Sequence, residues 1–224
     1  MDAALQLEGV TFEYGGTNPV RALSGVDLEV TVGEMLAITG PSGSGKTTLL
    51  SIAGSLLRPS GGRVLVSGTD VTRLSRRDQY LVRRDRIGFV FQDAGLFEHL
   101  TAVQNVEMAL LYRGLSPNQR ESKALTSLAS VGLGDRGNHL PGQLSSGEAQ
   151  RVGIARSFAG SPSLILADEP TGNLDRRSSL SVVDQLKALR DQGVAVVMVT
   201  HDEEVASLTD RTVRLSDGRL GVRR

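Results

Sequence analysis

The residues Gly40, Pro41, Ser42, Gly43, Ser44, Gly45, Lys46 and Thr47 follow one another, with Thr48 next, and their glycines, hydroxyls and single lysine suit the grip of a polyphosphate. Glycine admits backbone conformations and close approaches that a Cβ forbids. Successive N–H groups of such a loop can therefore converge on one anion. A helix starting at the end of the loop adds the positive end of its dipole. The stretch fits the pattern G-x-x-x-x-G-K-[ST], in which the lysine, here Lys46, meets the β- and γ-phosphates and the hydroxyl, here Thr47, meets a magnesium ion. Binding of ATP or GTP is the chemistry expected of it.

A second cluster is a pair of carboxylates, Asp168 and Glu169, at the end of the apolar run Leu164, Ile165, Leu166 and Ala167. At the carboxyl end of a parallel strand they would share a crevice with the phosphate loop. Asp168 is then placed to hold the magnesium shell, and Glu169 to accept a proton from an attacking water. A solvated acidic turn is the bland alternative, and it leaves the charge of a magnesium nucleotide unanswered. In a third cluster, Ser145, Ser146, Gly147 and Glu148, the serine taken alone is a helix cap. Its hydroxyl, the glycine N–H and a helix N-terminus also suit an anion.

These clusters need elements to hold them. Met35 to Thr39 reads as a buried strand entering the loop, and a helix follows from Thr48. Leu5 to Phe12 and Val26 to Val32 alternate as antiparallel strands, with a turn between Tyr14 and Pro19. Arg63 to Ser67 and Ile87 to Phe91 are further strands. Between them, Ser75 to Arg86 holds seven charged residues and is expected to be a solvated helical face. Helices are predicted from Thr101 to Tyr112, from Ser116 to about Ser130 and from Ser145 to Ala159. Leu164 to Ala167 and Val194 to Val199 read as fully buried parallel strands, joined by a helix carrying Leu180, Val183, Leu186 and Leu189 on one face. Strands alternating with helices imply an α/β protein with a mostly parallel sheet.

Composition narrows the partners. Lys and Arg together number 25, as do Asp and Glu, so no global basic field argues for nucleic acid or an anionic membrane surface. Cysteine is absent, which excludes disulfide scaffolds and thiolate metal sites. No apolar stretch approaches the ~18 residues of a membrane span, and the first residues lack the basic start and apolar centre of a signal peptide. A cytoplasmic chain is expected.

Taken together, Leu144 to Arg151 and the clusters above resemble the ATP-binding cassette (ABC) transporter nucleotide-binding subunits, over essentially the whole chain. The resemblance implies a P-loop NTPase core with an antiparallel β region over about 1–92 and 160–224, and a helical insertion over about 93–159. It makes Ser145, Ser146, Gly147 and Glu148 the signature segment, which meets the γ-phosphate held by a second subunit. It makes Gln92 the glutamine that touches the magnesium site, Asn173, Leu174 and Asp175 the loop crossing the dimer interface, His201 the switch histidine at the γ-phosphate, and Tyr14 the ring that stacks on adenine. Two departures stand out: Ser146 replaces the first of two usual glycines, and Glu148 replaces a more familiar glutamine. The runs Val20 to Val26, Arg84 to Gln92 and Ala167 to Asp175 are similar to the MacB/LolD type.

What the resemblance implies is an ATPase using ATP and magnesium, active as a head-to-tail homodimer and powering a separate transmembrane permease. It would lie at the inner face of the cell membrane and touch the membrane only through that partner, by way of the helical insertion and Phe97, Glu98 and Leu100. Export or extraction of a lipid, peptide or drug is the expected work. The alternative is a non-transport ATPase that regulates a membrane-bound partner. Cassette proteins acting on ribosomes or DNA are disfavoured, because they call for paired cassettes or a long coiled coil.

Overall fold

The computed structural model describes residues 2–16 and 19–222. Thr17 and Asn18, in the turn expected between Tyr14 and Pro19, lie outside the described residues. Strand β1 (Ala3–Tyr14) pairs antiparallel with β2 (Val20–Thr31). Both run longer than the alternation alone predicts, because register shifts at bulges let the ladder continue where the alternation falters. Strand β3 (Met35–Thr39) leads into the glycine loop, and α1 (Lys46–Ala53) leads out of it. Strand β4 (Gly61–Val66) returns to β1, and β5 (Thr69–Asp70) closes a four-stranded antiparallel sheet of order β2-β1-β4-β5.

Helix α2 (Arg76–Arg86) precedes β6 (Ile87–Val90). Its arginines do more than face solvent. Arg83 donates to the carbonyl of Ser55 at 2.8 Å, Arg84 to that of Tyr112 at 3.0 Å, and Arg86 to that of Val66 at 3.0 Å. The reading of this stretch as a solvated face is thus only half right. Guanidinium groups on long stems can satisfy carbonyls in neighbouring elements, and a count of charges does not show this.

Three helices follow: α3 (Ala102–Glu107), α4 (Pro117–Ser130) and α5 (Ser146–Phe158). Each starts at a reciprocal cap, Thr101 with Gln104, Ser116 with Gln119, and Ser145 with Glu148. The helix predicted to reach Tyr112 ends as α at Glu107 and tightens into a 3₁₀ turn at Met108–Leu110. Its buried positions Val103, Val106 and Leu110 satisfy either geometry, so periodicity could not separate them.

Strand β7 (Leu164–Asp168), helix α6 (Arg176–Asp191), strand β8 (Ala195–Val199), helix α7 (Glu203–Ser207) and strands β9 (Arg211–Ser216) and β10 (Arg219–Val222) complete the chain. The second sheet has six strands in the order β10-β9-β3-β8-β7-β6, all parallel pairs except β10 with β9. Its central strands are apolar but for the closing Thr39 and Asp168, because both faces are covered. Leu164 and Leu166 face a core shared with the antiparallel sheet and α1. Ile165 and Ala167, one residue out of phase, face a core shared with α3, α4, α5 and α6. Thr39, Asp168 and Val199 therefore lie together at the carboxyl end of the sheet, and the segments that follow them hold the glycine loop, Glu169 and His201.

Candidate functional site

The glycine loop is shaped by two positions with no room for a side chain. A Cβ on Gly40 would lie 2.1 Å from the carbonyl oxygen of Leu215, and one on Gly45 would lie 2.4 Å from that of Ala22. Both glycines have positive φ, 153° and 102°, where L side chains are strained. The loop thus packs flat against β2 and β9 and turns directly into α1. That helix has no side-chain cap on its N-terminus, unlike α5 and α6, so its first N–H groups suit an external anion. Ser44 Oγ is buried and, among the described residues, lacks a hydrogen-bond partner. An orphaned buried hydroxyl in a phosphate-shaped loop fits an anion as the missing acceptor. Lys46 Nζ donates to the carbonyls of Gly40 and Pro41 at 2.8 and 2.9 Å, which holds its charge over the loop.

The two carboxylates stand beside it. The Thr47 hydroxyl faces Asp168 Oδ1 at 3.5 Å. Burial pushes the Asp168 carboxyl above its ordinary range; Thr47 and Lys46 pull it down, while the negative charge of Glu169 pushes it further up. A desolvated carboxylate next to a hydroxyl and a second carboxylate fits a hard cation. Among the described residues no group of three or more His, Cys, Asp or Glu forms a ready metal cage, so a magnesium ion here would draw on phosphate oxygens for part of its shell.

Glu169 adopts φ 47°, unusual for a residue with a Cβ. Its N–H donates to the Val199 carbonyl at 3.0 Å, tying the turn after β7 to the end of β8. Its Oε2 lies 2.9 Å from His201 Nδ1 and accepts from the His201 backbone N–H at 3.3 Å. Glu169 and His201 line a groove of about 300 Å³ with Thr171, Gly172, Leu174 and Thr200. Gln92, just after β6, donates its Nε2 to Asn173 Oδ1 at 3.1 Å. Tyr14 is 46 % exposed; its ring meets Phe12 edge-on and its hydroxyl lies 3.0 Å from Thr48 Oγ1. Thr48 thus orients the tyrosine through its side chain.

The segment at the start of α5 keeps different company. Glu148 Oε2 accepts from both the N–H and the hydroxyl of Ser145 at 2.9 Å, and Arg136 lies 3.4 Å from its other oxygen. The Ser145 hydrogen bonds, with Arg136 adding, hold the Glu148 carboxyl below its ordinary range. Gly147 is buried against α6: a Cβ there would lie 2.8 Å from Ser178 Oγ. Ser178 in turn donates its hydroxyl to Asp175 Oδ2 at 2.8 Å. Ser146 is exposed. The expected residues therefore fall into two groups. Lys46, Thr47, Asp168, Glu169 and His201 form one, while Ser145, Gly147, Glu148 and Asp175 form another around the start of α6.

Two residues, and one contact of Asn173, escaped the sequence reading. Gln150 is only 2 % exposed and donates to the Phe91 carbonyl at 2.8 Å. Arg156 donates to the carbonyls of Ala94 and Gly95, and Asn173 holds Gln92. A glutamine among the buried positions of α5 was the available signal for the first; the others depend on contacts distant in sequence.

The family model described as ABC transporter matches residues 23–172. The chain belongs to the ABC transporter family. As an ABC cassette it is an ATP-binding unit and an ATPase. It is 44 % identical over 217 residues to the macrolide export ATP-binding/permease protein MacB of Marinobacter nauticus, covering 96 % of this chain and 34 % of that one. The cassette thus spans about a third of the length of its MacB relatives. Over 217 residues it is 42 % identical to the ABC transporter ATP-binding protein YknY of Bacillus subtilis, covering 96 % of this chain and 94 % of that one. Among solved structures, the dimeric ATP-binding cassette MJ0796 bound to ADP and Pi superposes with a TM-score of 0.88 at 42 % identity, covering 98 % and 97 % of the two chains. Among the described residues no helix is long and apolar enough to cross a membrane.

Proposed function

We propose that two copies of this cassette close head to tail over two magnesium-ATP molecules, and that the closing and opening drive a separate MacB/LolD-type permease. The observation that carries the reading is the Glu169–His201 contact at 2.9 Å beside the Thr47–Asp168 pair. Lys46, Ser44 and the loop N–H groups bind the phosphates, and Tyr14 stacks on the adenine. Magnesium, when bound by Thr47, Asp168 and Gln92, neutralises phosphate charge. Glu169 takes the proton of the attacking water as the oxygen bonds to the γ-phosphorus and the bond to the β-phosphate oxygen breaks. His201 fixes the Glu169 carboxylate and contacts the γ-phosphate. Ser145, Ser146 and Gly147 of the second copy complete the shell at the positive end of α5. Loss of the γ-phosphate removes those contacts, and the pair opens.

The division of the residues into two groups supports this reading, since each group has half of what hydrolysis needs. The dimeric state of MJ0796, bound to ADP and Pi, supports it independently. Glu169→Gln is expected to keep ATP affinity and lower turnover by about a thousandfold, on the scale of removing a catalytic base. Wild-type turnover in that variant would overturn the assignment of the base.

The permease contact is proposed for the groove of about 430 Å³ lined by Phe89, Phe91, Phe97, Met108, Arg113 and Arg156, which joins the glutamine loop to α5. The ATP-binding/permease naming of MacB supports a membrane partner, and the cassette would then lie at the inner face of the membrane. The cargo is a lipid, peptide or drug. Co-purification with a multi-span membrane protein supports transport; a partner with few spans and a large external domain would make the cassette a regulator instead.

A further inference from the structure

Gln92 is exposed, yet the main chain on either side of it is held. Buried Gln150 fixes the Phe91 carbonyl, and Arg156 fixes those of Ala94 and Gly95. What remains to be set is the direction of the Gln92 side chain, and the hydrogen bond that sets it is the one its Nε2 donates to Asn173 Oδ1. The neighbouring Gly172 is shaped to this contact. A Cβ there would come within 3.0 Å of Gln92 Nε2 and 3.4 Å of the Glu169 carbonyl oxygen, so any larger residue would press on the amide. A carboxamide has one donor end and one acceptor end. When Nε2 donates to Asn173, Oε1 is left to accept from, or coordinate, something else.

We propose that Asn173 is a positioning residue for the nucleotide site, holding the donor end of the Gln92 amide so that its oxygen is presented to the cation that accompanies ATP. Asn173 acts through Gln92. It also stands two residues before Asp175, which caps α6. The same contact therefore joins the metal site to the loop expected to face the second subunit.

This rests on the proposed role of Gln92 toward magnesium-ATP, and the test separates the two. The measurement is the affinity for a non-hydrolysable ATP analogue by calorimetry, with magnesium and with EDTA, for Gln92→Ala, Asn173→Ala and the double variant. Asn173→Ala is expected to weaken magnesium-analogue binding about fivefold, the scale of one net hydrogen bond, and to leave binding in EDTA unchanged. In the Gln92→Ala background the same substitution is expected to have no further effect. An unchanged Asn173→Ala, an equal loss in EDTA, or a full loss persisting without Gln92 would each overturn the proposal. If Gln92→Ala itself binds magnesium-analogue like wild type, the role of Gln92 fails, and the proposal with it.

Discussion

Ser146 and Gly147 are neighbours with opposite tolerances. Gly147 has Ser178 Oγ at 2.8 Å and Ser178 Cβ at 3.1 Å from where its own Cβ would be, whereas Ser146 is exposed at the first turn of α5. Gly147→Ala should destabilise the fold by about 1–3 kcal/mol, as overpacking does, while Ser146→Gly should stay within about 0.5 kcal/mol; urea unfolding of the two variants reads the difference. The serine that departs from the usual pair of glycines thus occupies the position with room for it. Asp168 makes the reverse trade. Its ionised form is disfavoured by burial and by Glu169, so in EDTA and without nucleotide Asp168→Asn should melt higher than wild type at neutral pH, at the expense of magnesium-dependent turnover. A lower melting temperature would contradict the desolvation argument. The residue types at the loop and at the carboxylates were readable because their chemistry is local. The role of Ser178 against Gly147, or of Asn173 against Gln92, was not, because each pair is joined only by folding.

The elements carry these residues through caps and buried strands. In α5 the Ser145 and Glu148 cap is reciprocal, and hydrogen bonds from Ser145 hold the Glu148 carboxyl below its usual value of 4.5. A carboxyl lowered in the folded state adds stability that is present above its unfolded value and is lost as pH falls through the folded one. Wild type should therefore be more stable than Glu148→Ala at neutral pH, by about 0.5–1 kcal/mol as caps usually are, and the gap should narrow as pH drops below 4.5. A gap that widened in acid would contradict it. The caps and the unbroken apolar strands β3, β7 and β8 were legible, since their signals lie within a few residues. The end of α3 and the inward duties of the α2 arginines were not. The first lies beyond what apolar spacing distinguishes, and the second depends on carbonyls at Ser55, Val66 and Tyr112 that only the tertiary fold brings near.

Across the whole molecule, the carboxyl end of β3, β7 and β8 gathers Lys46, Thr47, Asp168, Glu169 and His201, while the start of α5 stands with Asp175 and Ser178. The segment after β6 is held from that second group's elements: Gln150 and Arg156 grip it from α5, and Gln92 reaches Asn173 ahead of α6. With ATP as part of the interface between two copies, Glu169→Gln at saturating magnesium-ATP should weigh, by light scattering, twice the 23.8 kDa of the chain. Without ATP it should show the single-chain mass, and a Lys46→Ala,Glu169→Gln double variant should stay monomeric throughout. A single-chain mass for Glu169→Gln at saturating ATP, or a dimer indifferent to nucleotide, would contradict ATP's place in the interface.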